Sequence, residues 1–205
     1  MKTIRLLLGT ILLLVLQINS TAQNCSLTCP ENIVVKADSG KGGTYVSFPA
    51  ATFSADCGTI TYSPVSGSFF QVGSTSVIIN TSSGQRCSFT VTVSDNEPPS
   101  LSPVVLSLKR LWPANGRMRD VMVRYLTTDN ANETTCAITV TSNDSSRNGQ
   151  DFQVVDNHLV RLKASRLSNG RARIYMITVT CTDEAGNATK RSTGIAVAKN
   201  ISKNQ

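Results

Sequence analysis

Apolar and polar residues in this chain alternate in short runs, and that two-residue period limits the possible folds more than any other feature. Asn32-Ile-Val-Val-Lys, Thr44-Tyr-Val-Ser-Phe, Thr75-Ser-Val-Ile-Ile, Ser88-Phe-Thr-Val-Thr-Val and Tyr175-Met-Ile-Thr-Val-Thr are rich in β-branched residues and are punctuated by Gly, Asn, Asp or Pro. Successive side chains on a strand point to opposite faces, so such runs bury one face and wet the other. Short strands at this spacing predict β-sandwiches. The stretch from Asn157 to Arg166 is read the same way, because Val160, Leu162 and Ala164 alternate with Arg161 and Lys163. No amphipathic helix of useful length is found, which excludes a helical core and a doubly wound nucleotide fold.

The chain has 205 residues, 40% hydrophobic and 16% charged, a balance that fits a globular protein and neither a disordered nor a fibrous one. At the N-terminus, Lys2 and Arg5 precede an apolar run from Leu6 to Leu16 and the small residues Ser20, Thr21 and Ala22. This is the pattern of a secretory signal peptide cleaved after Ala22, and the run is short of the ~20 residues that span a membrane. Asn24 before Cys25 disfavours lipidation. The expected location is therefore extracellular or periplasmic, with no membrane span left after cleavage.

A break falls at Asp95-Asn-Glu-Pro-Pro-Ser-Leu-Ser-Pro, since paired prolines cannot continue a central ladder and stiffen a linker. The expected division is a signal peptide over 1–22, a first domain over 23–98, a second over 99–200 and a polar tail over 201–205. Sandwiches of this size gain appreciably from disulfides.

Residues 29 to 98 resemble a hyalin repeat, the HYR domain. The resemblance rests on Cys29-Pro-Glu-Asn-Ile-Val-Val, Val46-Ser-Phe-Pro-Ala-Ala-Thr, Ala55-Asp-Cys-Gly, Ser66-Gly-Ser-Phe-Phe-Gln-Val-Gly-Ser-Thr-Ser-Val and Cys87-Ser-Phe-Thr-Val-Thr-Val-Ser-Asp-Asn-Glu-Pro-Pro, in that order. Where many repeats carry a further cysteine pair this chain has Tyr62 and Ile79, and its connection from Thr81 to Gln85 is short. Residues 99 to 198 resemble a second immunoglobulin-like module of the kind that follows hyalin repeats in bacterial secreted proteins, through Leu111-Trp-Pro-Ala-Asn-Gly, Cys136-Ala-Ile-Thr-Val-Thr and Gly170 to Asn187. The resemblance implies an all-β protein of two tandem immunoglobulin-like sandwiches. It also implies an extracellular adhesion or assembly role, no catalysis and no cofactor. Trp112 is expected to plug a core or an edge.

Six cysteines after a secretory leader predict disulfides. Cys136 and Cys181 lie in alternating runs of one domain and are the simplest pair. Cys25, Cys29, Cys57 and Cys87 allow three connectivities by spacing alone. The immunoglobulin-like topology implied by the resemblance places Cys29 near Cys87, leaving Cys25 for Cys57. A metal role is a poor fit, because Cys25 and Cys29 are four apart with no histidine companion.

His158 is the only histidine, and no strained Gly-x-Ser-x-Gly elbow accompanies it. Asp183-Glu184 lies in a Thr-Asp-Glu-Ala-Gly-Asn turn, where these residues serve hairpin geometry. Gly40-Lys-Gly-Gly lacks the spacing of a phosphate loop. Calcium is the one metal with a candidate set, Asp95, Asn96 and Glu97 at the hinge, with Asp56, Asp129 or Asp183 needed from neighbouring loops. The plainer reading of Asp95 to Glu97 is a strand end and a turn.

Charge separates the halves. Residues 23–100 carry three Lys/Arg against five Asp/Glu, and residues 101–205 carry fifteen against eight. Arg117 and Arg119, Arg161 and Lys163, and Arg171 and Arg173 are each two apart, so each pair is expected on one strand face. An outward face built from Arg161, Lys163, Arg171 and Arg173 would attract an anionic polysaccharide by its field, whereas a solvated face would only aid solubility. Low aromatic content argues against specific nucleic-acid binding. The expected function is a non-enzymatic binding or adhesion module for extracellular protein or anionic glycan, and the alternative is a structural spacer or assembly subunit.

Overall fold

A computed structural model describes residues 24–131, 133–144 and 151–199. The expected signal peptide and the tail over 201–205 lie outside the described residues. Among the described residues the chain is all-β, with one 3-10 turn at Ala55–Cys57, and no helix is long and apolar enough to cross a membrane.

The first half contains β1 (Leu27–Thr28), β2 (Ile33–Lys36), β3 (Gly43–Val46), β4 (Thr52–Phe53), β5 (Ile60–Ser63), β6 (Ser68–Gln71), β7 (Gly73–Thr81) and β8 (Arg86–Ser94). One sheet runs β2-β8-β7-β5, with β2 parallel to β8, and the pairs β3-β6 and β1-β4 complete the half. The alternation explains the packing. Phe89, Val91 and Val93 on β8 and Val77 and Ile79 on β7 are at most 3% exposed, and they face Val46 and Phe70 from β3 and β6. The intervening threonines point away.

The second half contains β9 (Ser100–Leu101), β10 (Val105–Leu106), β11 (Met118–Arg124), β12 (Thr127–Thr128), β13 (Thr134–Ser142), β14 (Phe152–Val154), β15 (Leu159–Lys163), β16 (Ile174–Asp183) and β17 (Ala188–Ala196). A sheet β10-β11-β15-β14 packs Val121, Val123, Val160 and Leu162 against Ile138, Val140, Tyr175, Ile177, Val179 and Ile195 of the sheet β13-β16-β17. The short pair β9-β12 lies at the linker end. Among the described residues no strand pairs across the Asp95–Pro99 stretch, and the two buried clusters share no member. Burying a Val, Leu, Ile or Phe side chain contributes roughly 1.5–3 kcal/mol, so each cluster is a core in its own right.

Disulfides join Cys25 to Cys57, Cys29 to Cys87 and Cys136 to Cys181. Cys136 sits directly opposite Cys181 on neighbouring strands, with Cα atoms 4.0 Å apart, so this bridge lies within one sheet and does not clamp two sheets together. Of the two places expected for Trp112, a core or an edge, the core is not where it lies. It is 43% exposed, and its neighbour Leu111 fills the core instead.

Candidate functional site

The basic face expected from Arg161, Lys163, Arg171 and Arg173 does not form. Arg161 points outward on β15, but its strand neighbour across the ladder is Asp120, and Arg161 Nε donates to Asp120 Oδ1 at 2.9 Å. Lys163 Nζ is 3.2 Å from Asp151 Oδ1. Arg171 precedes β16 in an exposed loop. Arg173 is 3% exposed, and its guanidinium contacts Asp151 and Asp144, the latter at 2.9 Å. The reason is the phase of the alternation: Arg173 is two residues before Tyr175, which begins the buried series Tyr175, Ile177, Val179, Cys181.

This buried group is an inter-sheet clamp. Arg173 and Tyr175 belong to the β13-β16-β17 side, while Asp151 and Lys163 flank β14 and β15 of the facing sheet. The Tyr175 hydroxyl lies within donating distance of the Asp151 and Lys163 carbonyls, at 3.1 and 2.9 Å. Burial pushes the Tyr175 hydroxyl pKa up, so it stays a neutral donor.

A second polar cluster forms where the two halves meet. The period that buries Phe89, Val91 and Val93 turns Asp95 inward as well, and the period that buries Ile177, Val179 and Cys181 does the same for Asp183; each is 7% exposed. Asp129 joins them from the end of β12. One carboxylate oxygen from each of Asp95, Asp129 and Asp183 lies within 4.8 Å of the other two.

Local backbone geometry holds all three. Each Oδ1 accepts from a nearby amide: Asp95 from Glu97 N at 3.0 Å, Asp129 from Ala131 N at 2.9 Å, and Asp183 from Asn187 N at 2.8 Å. The last needs the tight hairpin in which Gly186 takes φ 91°, a conformation that favours glycine. Asn187 Nδ2 donates to Asp183 Oδ2 at 2.9 Å and lies 3.4 Å from the Asp95 carbonyl, so the second half reaches across to the first. Asp95 Oδ2 is buried with no hydrogen-bond partner.

Of the hinge trio Asp95, Asn96 and Glu97, only Asp95 therefore enters the cluster. Asn96 Nδ2 bonds Ser94, through its carbonyl and its hydroxyl. Glu97 turns the other way, accepting from the Ser39 hydroxyl, from Gly40 N at 2.8 Å and from Asn130 Nδ2 at 3.1 Å. The Ser39 hydroxyl and the Gly40 amide hold the Glu97 carboxyl below its usual range, against the opposing effect of burial. Asn130 Nδ2 also reaches the Lys41 carbonyl at 3.0 Å. The approach is close enough that a Cβ on Gly42 would stand 2.8 Å from the Asn130 carbonyl oxygen. An open cleft of about 300 Å³, lined by Glu97, Pro98, Ser100, Thr128, Asp129 and Asn130, runs along this junction.

His158 stacks on Tyr125 with ring centroids 4.7 Å apart, and its Nδ1 is 3.0 Å from the Val123 carbonyl. Neither contact makes it the base of a nucleophile.

No curated protein matches the chain. Among solved structures, the chain is similar to Sidekick-1 immunoglobulin domains 1–4, at 12% identity and TM-score 0.46, covering 85% of this chain and 48% of that one. It is also similar to protocadherin gamma B7 extracellular cadherin domains 1–4, at 16% identity and TM-score 0.39, covering 86% of this chain and 50% of that one. The human mucin-like protocadherin EC1-2 structure matches at 12% identity and TM-score 0.37, covering 85% and 97%. The chain thus spans about half the length of the first two. In sequence, residues 23–93 match the HYR domain family.

Proposed function

We propose that this protein is a secreted, non-enzymatic binding module built from two sandwich domains, residues 23–98 and 99–200, released by cleavage of the leader over 1–22. The observation that carries the reading is the HYR match over residues 23–93 in a chain whose described cysteines are all paired in disulfides. Paired cysteines suit an oxidising extracellular compartment. The only histidine is engaged by a backbone carbonyl and a tyrosine ring, which supports a role without chemistry on a substrate.

Extracellular protein is the partner favoured here over anionic glycan, because three of the four basic residues expected to recruit a polyanion are ion-paired within the fold. Tyr45 and Phe69 supply an exposed aromatic pair, 68% and 42% exposed with centroids 5.2 Å apart, of the kind that anchors protein contacts. The test is capture of extracellular proteins and an array of anionic glycans by the purified chain, at low and high salt. Protein capture that persists in salt and weakens in Tyr45→Ser supports the reading. Retention on anionic glycan alone, lost in salt, contradicts it. A monodisperse oligomer that captures nothing moves the conclusion to a structural spacer or assembly subunit.

A further inference from the structure

We infer that Asp95, Asp129 and Asp183 form a calcium site at the junction of the two cores. The inference stands apart from the binding reading above, since it concerns how the two halves are held and not what they contact.

Three carboxylates that approach within 4.8 Å of one another repel unless a positive charge sits among them. Among the described residues no Lys or Arg pairs with Asp95 or Asp183: Lys41 pairs with Asp38, and Arg191 Nε donates to the Leu101 carbonyl at 2.7 Å. The independent sign of a missing ligand is Asp95 Oδ2, an acceptor in a side chain more than nine-tenths buried that no donor satisfies. Burying an acceptor without a partner is costly, and a folded protein retains such an oxygen where a bound group completes it.

The chemistry selects the ion. All the side-chain ligands are oxygens, with no cysteine or histidine among them, which suits a hard cation and not zinc. Oxygens at ~2.3–2.6 Å from calcium lie at most about 5 Å apart, which matches the observed spread. Three carboxylates leave coordination positions for water, and the cleft lined by Asp129 and Thr128 supplies it. Magnesium requires stricter octahedral geometry and gives up water reluctantly, so it binds more weakly here. Asp95 closes the first half while Asp129 and Asp183 belong to the second, so one ion ties both together. An affinity on the order of 10⁻⁴–10⁻³ M is expected, the range of extracellular modules.

The test is calorimetric titration of the purified chain with calcium chloride and with magnesium chloride, paired with thermal melts in calcium and in chelator. The parent chain is expected to bind one calcium and to melt higher in calcium. Asp95→Asn removes one of three like charges and adds an amide donor beside two acceptors. It is expected to melt above the parent in chelator, to lose the calcium-induced rise, and to lose about tenfold or more in calcium affinity. Asp129→Asn is expected to lose the same response and serves if Asp95→Asn does not fold. Glu184→Gln, an exposed neighbour outside the cluster, is expected to bind calcium as the parent does. The inference is overturned if neither calorimetry nor melting of the parent responds to millimolar calcium. It is equally overturned if Asp95→Asn and Asp129→Asn bind as tightly as the parent.

Discussion

The two halves solve the same problem, holding one small sheet against another, by different means. In the first, contact across the sheets is apolar and aromatic, with Phe48 against Phe89 at 5.0 Å, and the entering chain is tied down by Cys25–Cys57 and Cys29–Cys87. In the second, the disulfide lies inside one sheet, and the polar contact between sheets is the buried group Arg173, Asp151, Lys163 and Tyr175. A bridge acts on the unfolded chain as much as on the folded one. A buried ion group acts only in the folded state and is costly when half of it is removed. The halves should therefore fail under different insults, and Trp112, the only tryptophan and a member of the second half, lets that half be followed by its fluorescence.

The largest effect is expected from removing both bridges of the first half by paired cysteine-to-alanine changes. The loops span 32 and 58 residues, so about 4 kcal/mol per bridge is expected on the chain-entropy account. Circular dichroism should show the first half unfolding while Trp112 fluorescence keeps its native signal; simultaneous loss of both would mean that the halves do not fold separately. Next, Arg173→Ala should cost the second half about 3–5 kcal/mol by leaving Asp151 buried beside an incomplete partner set. Chemical denaturation followed at Trp112 checks this, and a loss under 1 kcal/mol would remove the ion clamp from the comparison.

A smaller effect is expected at the contact between the halves. Gly42→Ala brings a Cβ to 2.8 Å from the Asn130 carbonyl, and overpacking of this kind costs about 1–3 kcal/mol unless the loop shifts. The two unfolding transitions should then separate further in temperature. Acid acts on the same contact with a definite sign. Glu97 has a folded-state value below its ordinary 4.5, so its contribution is present above that value and lost as pH falls through the lower folded-state one. Amide exchange at Gly40 should quicken over that window in the parent and show no such pH step in Glu97→Gln. The smallest effect belongs to Arg161→Gln, since the pair with Asp120 is about half exposed and is worth about 0–1 kcal/mol.

How much of this was legible in the sequence depends on the residue. The strands were, because alternation of β-branched residues states both their existence and their buried face. The phase of Arg173 was also available, since Tyr175, Ile177, Val179 and Cys181 set the inward parity and Arg173 shares it. Placing Arg171 and Arg173 together on an outward face inverts that parity. Arg161 faces outward on β15, but it is ion-paired with Asp120, a partner fixed by strand register and not by spacing in the chain. Asp95 and Asp183 follow their buried series by the same parity, so each could be expected to turn inward. That they meet, and that Asp129 meets them, depends on how two sheets and a loop end come together, which no local pattern encodes. The same holds for Glu97, which sits beside Asp95 in sequence yet spends its oxygens on Ser39, Gly40 and Asn130.

Two differently built halves converging on one cation would meet it at the three carboxylates Asp95, Asp129 and Asp183. Each of those carboxylates accepts from a backbone amide, at Glu97, Ala131 and Asn187. The most direct measurement follows these three amide resonances by NMR during a calcium titration of the intact chain. With one shared calcium ion, all three are expected to move together with one midpoint, while amides in either core stay still. Three stationary resonances, or three that move with unrelated midpoints, would contradict it.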